Sequence, residues 1–173
     1  GQLLAFGVDA DPTSETYGGL LTNGSGPDGA LWDAGTLIPA WAAREIITNK
    51  ADGIPFAWDQ FSDDEAAAYF ASNDQLLAYL CGKNVPGFRE RTSLLGDIVN
   101  SAPQYVGAPN FRYKDDLEAE AYSEFKRDYA GRAPMIYVGA NDGMLHAFDA
   151  ETGVEKLAYI PGEVLGTIKQ LSN

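Results

Sequence analysis

The sequence predicts a mainly β fold in which short antiparallel strands are interrupted by helical insertions. Three observations predict it. Pro134 to Pro161 reads as three short apolar strands joined by tight Asp-Gly and Thr-Gly turns. The 173 residues include 19 Gly and 9 Pro, which suit a turn-rich sheet better than a helix bundle. Finally, residues 1–6 (GQLLAF) echo residues 143–148 (GMLHAF) at Gly, Leu, Ala and Phe, and Asp-Ala follows each copy at Asp9-Ala10 and Asp149-Ala150. Repetition of one supersecondary unit is the cue for a propeller or a solenoid. A blade takes about 40–50 residues and a ring about 4–8 blades. The chain therefore carries strands for about two to three blades and predicts part of a β-propeller.

Composition narrows the function classes. A hydrophobic share of 45% with 12% aromatics excludes wholesale disorder. Twelve basic against 25 acidic residues give a net charge of −13, the wrong sign for nucleic acid or an anionic membrane surface. No apolar run reaches the ~18 residues a spanning helix needs. Cys81 is the single cysteine, so no internal disulfide or cysteine-based metal site is available, and its place after Leu80 reads as core. His146 is the single histidine, which excludes a multi-histidine metal site. Gly1 opens directly into a strand-like pattern with no signal peptide, so the chain is expected to begin within a longer protein.

Taken in order, residues 1–9 read as a buried strand, and Asp11 to Gly29 as a surface loop. Leu31 to Gly35 is a short apolar element, and Leu37 to Ala43 a short helix or turn. Arg44 to Thr48 and Ile54 to Trp58 form a hairpin across an Asn49–Gly53 turn. Ser62 to Glu65 is a capping box opening one helix, and Ser72 to Gln75 starts a second that Gly82 terminates. Leu94 to Gly107 reads as strand, with Pro103 at a start, edge or bulge. Leu117, Ala121, Phe125 and Tyr129 recur every four residues, which predicts a helix near 114–130 ending at Gly131. The expected layout is first-blade elements over 1–59, a helical insertion over 60–93, and a blade over 94–173.

Candidate chemistry is sparse. Asp9, Asp11 and Glu15 approach calcium-loop spacing, but Pro12 and the missing mid-loop glycine favour a solvated acidic loop. His146 has apolar neighbours and no local nucleophile, so it reads as a packed histidine bonded to backbone. Asp142 and Asp149 flank turns and read as turn chemistry. Gly24 to Gly26 lacks the lysine and helix of a phosphate loop. Asp63, Asp64 and Glu65 sit where acids complement a helix N-terminus. No residue is assigned as catalytic, cofactor-binding or metal-ligating.

Tyr137 to Asp149 (YVGANDGMLHAFD) resembles the C-terminal propeller of the PilC/PilY family of type IV pilus tip-associated proteins. Leu95 to Pro103 is similar to that family's LGD-I-x-x-S-x-P segment, and Trp32-Asp33-Ala34 and Arg44 to Thr48 to its W-D-A and R-x-I-x-T elements. Cys81-Gly82 stands where the family more often has Arg-Gly. The last motif also resembles the wider quinoprotein-type blade, so the implied fold is a quinoprotein-like β-propeller with helical insertions. The resemblance implies a non-catalytic module of a secreted protein at the pilus tip or outer-membrane surface, acting in pilus assembly, control of retraction and adhesion. It implies as partners the remainder of the propeller, minor pilins or the tip complex, and a host or abiotic surface. The family's calcium loop is expected outside these residues. The alternatives are a fragment of a pyrroloquinoline-quinone dehydrogenase propeller and a purely structural propeller scaffold.

Overall fold

The densest turn-and-strand pattern in the sequence lies at the centre of the main sheet. The computed structural model describes residues 1–50 and 52–173. In chain order the strands are β1 (Leu4–Ala5), β2 (Gly7–Val8), β3 (Leu20–Leu21), β4 (Trp32–Asp33), β5 (Ile46–Asn49), β6 (Gly53–Pro55), β7 (Gln104–Val106), β8 (Met135–Gly139), β9 (Leu145–Asp149) and β10 (Glu155–Ile160). Helices are α1 (Asp63–Phe70), α2 (Asp74–Leu80), α3 (Tyr122–Asp128) and α4 (Leu165–Ile168). Strands β7 to β10 form an antiparallel meander, as a propeller blade does. Gly143 (φ 84°) and Gly153 (φ 74°) supply the left-handed residues of its last two turns.

The meander does not end at β10. Strand β5 pairs with it in parallel, Ala158 against Ile46, and β6 completes a six-stranded sheet ordered β6-β5-β10-β9-β8-β7. Thr48 is fully buried at this junction and donates its hydroxyl to the Ile160 carbonyl at 2.8 Å. The predicted hairpin is present, but it extends the C-terminal sheet and does not found a first blade of its own. Ala51, in its predicted turn, lies outside the described residues.

The N-terminal strand is also different from expectation. Residues 1–9 split into β1, paired with β4, and β2, paired with β3, each a two-stranded piece. The two hexapeptides of the echo therefore occupy unlike settings. The second copy is a central strand; the first pairs only through Leu4 and Ala5. The difference arises downstream of each copy, because turns over residues 11–19 lead to a returning strand, β3, that is two residues long and pairs with β2 rather than with the copy itself. Leu94 to Pro103 is likewise loop, with only Gln104–Val106 in the sheet.

Helices α1 and α2 match the sequence closely. Ser62 accepts from the Glu65 amide and Glu65 accepts from the Ser62 amide, the predicted capping box, and Asn73 caps α2. Gly82 (φ 117°) comes after α2 as its terminator. Helix α3 is shorter than the periodicity suggests, because residues 114–121 are not helical and Leu117 is exposed.

Two apolar clusters hold the sheet. One joins Phe70, Leu77, Tyr79 and Leu80 of the first two helices to Ile46, Ala158 and Ile160 of the strands and to Leu165 and Ile168 of α4. Phe56, Phe61 and Phe70 meet edge to face at 5.0–5.7 Å within it. The second gathers Trp32, Ala34, Leu95, Val138 and Phe148, so the Trp-Asp-Ala and Leu-Gly-Asp segments both pack on the blade.

Candidate functional site

Four charged or titratable side chains converge where the two clusters approach. Arg44 precedes β5, Asp142 lies in the β8–β9 turn, His146 is on β9 and Glu155 opens β10. Arg44 donates Nε to Glu155 Oε2 at 2.7 Å and Nη2 to Oε1 at 2.8 Å. His146 Nδ1 lies 2.7 Å from Glu155 Oε1, and its Nε2 lies 3.0 Å from Asp142 Oδ2. Asp142 also accepts the Gly96 amide at 2.8 Å and the Met144 amide at 3.1 Å. Arg44 Nη1 reaches the Cys81 carbonyl at the end of α2 at 2.9 Å. A single chain of bonds thus ties together α2, the β5 segment, the Leu-Gly-Asp loop and three blade elements.

Burial makes this network costly unless every group is matched. The side chains of His146, Glu155 and Arg44 are 0%, 1% and 2% exposed. Burial alone would lower the His146 pKa; its bonds to Asp142 and Glu155 outweigh that and raise it. Burial would raise the Glu155 and Asp142 carboxyls, but bonds from His146, with Arg44 for Glu155, hold both below their ordinary range. Burial pushes the Cys81 thiol up to about 11 against the pull of Arg44 and Arg91, so it is a core group and no nucleophile.

Several sequence expectations are corrected or sharpened here. His146 is bonded to two carboxylates, not to backbone, because β10 and the β8–β9 turn bring acids to both ring nitrogens. Asp142 makes its turn bond to Met144 but also carries the histidine and Gly96. Asp149 accepts the Glu151 and Thr152 amides, which is the expected turn chemistry. Asp9 is half-buried and Asp11 exposed, and both are occupied by local bonds to Thr16 and Thr13. Among the described residues no group of three or more His, Cys, Asp or Glu could hold a metal ion. Arg44 and Glu155 escaped the sequence reading, because each has an oppositely charged neighbour, Glu45 and Lys156, and so carries no local sign of a distant partner.

A second feature lies at the sheet edge. Phe111 and Tyr113 stack at 5.4 Å, Tyr113 meets Tyr122 at 5.2 Å, Tyr122 meets Phe125 at 5.8 Å, and Phe125 meets Tyr129 at 4.8 Å. The Arg132 guanidinium covers the last two rings. Phe111 and Tyr113 are 63% and 58% exposed, beside the exposed edge strand β7.

Residues 95–170 match the family model described as the PilY1 β-propeller domain. This segment belongs to that family. The PilY1 match contains Gly96, Asp142, His146 and Glu155, four partners of the buried network. Over 170 aligned positions that cover 93% of its length, the chain is 40% identical to a type IV pilus biogenesis factor PilY1 homolog of Xylella fastidiosa, of which it covers 13%. It is 34% identical, over 162 aligned positions that cover 82% of its length, to type IV pilus biogenesis factor PilY1 of Pseudomonas aeruginosa strain UCBPP-PA14, of which it covers 14%. The chain thus spans only 13–14% of these PilY1 relatives. No solved structure matches it.

Proposed function

We propose that this chain is a non-catalytic wedge of a PilY1-type β-propeller, acting in type IV pilus assembly, control of retraction and surface adhesion. The observation that carries the reading is the 40% identity over 170 residues to a protein named for pilus biogenesis. The blade would be quinoprotein-like, with α1 and α2 as one helical insertion and α3 as another. The protein would lie at the pilus tip or outer-membrane surface. Its partners would be the rest of the ring, minor pilins or a tip complex, and the contacted surface.

Two structural facts support a binding role over catalysis. The histidine has both ring nitrogens engaged and is sealed from solvent, so it cannot serve as an accessible general base. The exposed ring ladder from Phe111 to Tyr129 is the kind of aromatic surface that protein interfaces favour. The calcium of the resemblance would be bound by residues other than these.

The experiment uses the full-length parent in its own bacterium. Deletion of the segment equivalent to residues 1–173 should abolish surface pili and twitching, and purified parent should show no dye-linked alcohol oxidation with pyrroloquinoline quinone and calcium. Turnover in that assay, or unchanged piliation after the deletion, overturns the reading.

A further inference from the structure

His146 is the only histidine of the chain, and both of its nitrogens face acceptors. An ionised carboxylate can only accept, and a neutral imidazole has only one N–H. Two close contacts of this kind need two protons on the ring, or a protonated acid at one end. The remaining bonds argue against a protonated acid. Asp142 receives two backbone amides, and Glu155 receives two guanidinium N–H groups. Both acids are held as anions. With the imidazolium, the four directly bonded groups sum to zero, Arg44 and His146 against Asp142 and Glu155, while Arg91 acts on Asp142 from outside the bonded set.

We propose that His146 is a buried imidazolium at neutral pH, and that its proton pins a clasp fastening the Leu95–Asp97 loop to the blade. Loss of the proton leaves a ring lone pair against one carboxylate. Asp142 is the partner that yields, because its side chain is 14% exposed while Glu155 at 1% stays gripped by Arg44. Asp142 is also the carboxylate that holds the Gly96 amide. A cavity of about 300 Å3 lies beside it, lined by Arg89, Arg91, Leu95, Gly96 and Asp142 among others, and gives the loop room to move. The groups facing the ring are Asp142 from the β8–β9 turn, Glu155 from β10, Arg44 behind Glu155, and Phe148, whose ring lies parallel at 5.6 Å and adds no charge. Arg91 acts on Asp142 from the loop after α2, with Arg89 behind it and Tyr79 beneath. Among the described residues, no carboxylate beyond Asp142 and Glu155 bonds to the ring.

The single histidine makes the test direct, and it does not depend on the pilus reading. Nitrogen-15 spectra of the 173-residue chain should show both ring nitrogens protonated at pH 7, with one titration above the ordinary 6.5. Exchange of the Gly96 amide should accelerate through that titration by about tenfold beyond intrinsic base catalysis, while the core amide of Val138 does not. His146→Gln carries both of its N–H bonds on one nitrogen and an acceptor oxygen beside it, so it cannot donate to both carboxylates as the imidazolium does, and should show fast Gly96 exchange already at pH 6. A neutral tautomer at pH 7, a titration at or below 6.5, or pH-independent Gly96 protection overturns the proposal. If His146→Gln does not fold, the wild-type titration alone decides the matter.

Discussion

Arg44 and Glu155 stand 111 positions apart in sequence and meet in a two-bonded ion pair whose side chains are 2% and 1% exposed. Removing one partner strands a buried charge, whereas removing both does not. Arg44→Met should therefore cost about 3–5 kcal/mol in urea denaturation. Arg44→Met with Glu155→Leu should cost clearly less than the two single losses added together. Simple additivity would mean that the pair is not coupled.

Stability should fall on both sides of a window set by the same network. The carboxyls of Asp142 and Glu155 sit below their ordinary 3.8 and 4.5, so their contribution is complete above those values and is lost as pH falls through the folded ones. His146 sits above its ordinary 6.5, so its contribution is complete below 6.5 and is lost as pH rises through the folded value. The urea midpoint should peak between 4.5 and 6.5. A midpoint still rising through pH 8 would contradict this account.

Gly153→Ala should be among the costliest small substitutions. The position has φ 74°, and an added Cβ would come within 2.7 Å of Trp32 Cδ2. Strain and overpacking together should cost about 2–4 kcal/mol. The emission of Trp32 should shift, and an unchanged melting temperature would refute the close approach.

Ser62→Ala tests the first helix. It removes the oxygen that accepts from the Glu65 amide and should cost about 0.5–2 kcal/mol. Bonds from Lys50 and Ser62 hold the Glu65 carboxyl down, to about 2, so this variant should also raise that pKa. Carboxyl titration by NMR reads the effect; an unmoved Glu65 would leave Lys50 and the retained backbone amide at position 62 as the causes.

Phe111→Ser alters an exposed ring and should change stability by less than about 1 kcal/mol. In the full-length parent it should nevertheless reduce piliation, if the ladder is a contact surface. Wild-type piliation with the Phe111, Tyr113 and Phe125 rings all replaced by Ser would remove that role.

Legibility in the sequence tracks the range of the forces involved. The blade turns at Asn141–Gly143 and Thr152–Gly153, the capping box at Ser62 and the terminator at Gly82 are local, and each was legible from neighbouring residues. The parallel joining of Ile46 to Ala158 was not, because it depends on a partner more than a hundred residues away. The buried network was hidden for the same reason. Asp142 and His146 announced themselves as a turn acid and a packed ring, and only the return of Glu155 and Arg44 gave the histidine its charge. The hexapeptide echo misled because strand composition is shared by many strands, whereas a blade requires long returning partners, and here the return after residues 11–19 is the two-residue β3, paired with β2 alone.

The Thr48–Ile160 bond spans 112 positions, and the same separation governs the time at which β5 finds shelter. During synthesis the ribosome delivers Ile46 and Ile47 long before the strand that covers them. Until then the early hairpin is an apolar ribbon without a neighbour, open to mispairing with other nascent chains. Closure over so long a loop is slow, so the interval is one in which a holding chaperone would matter.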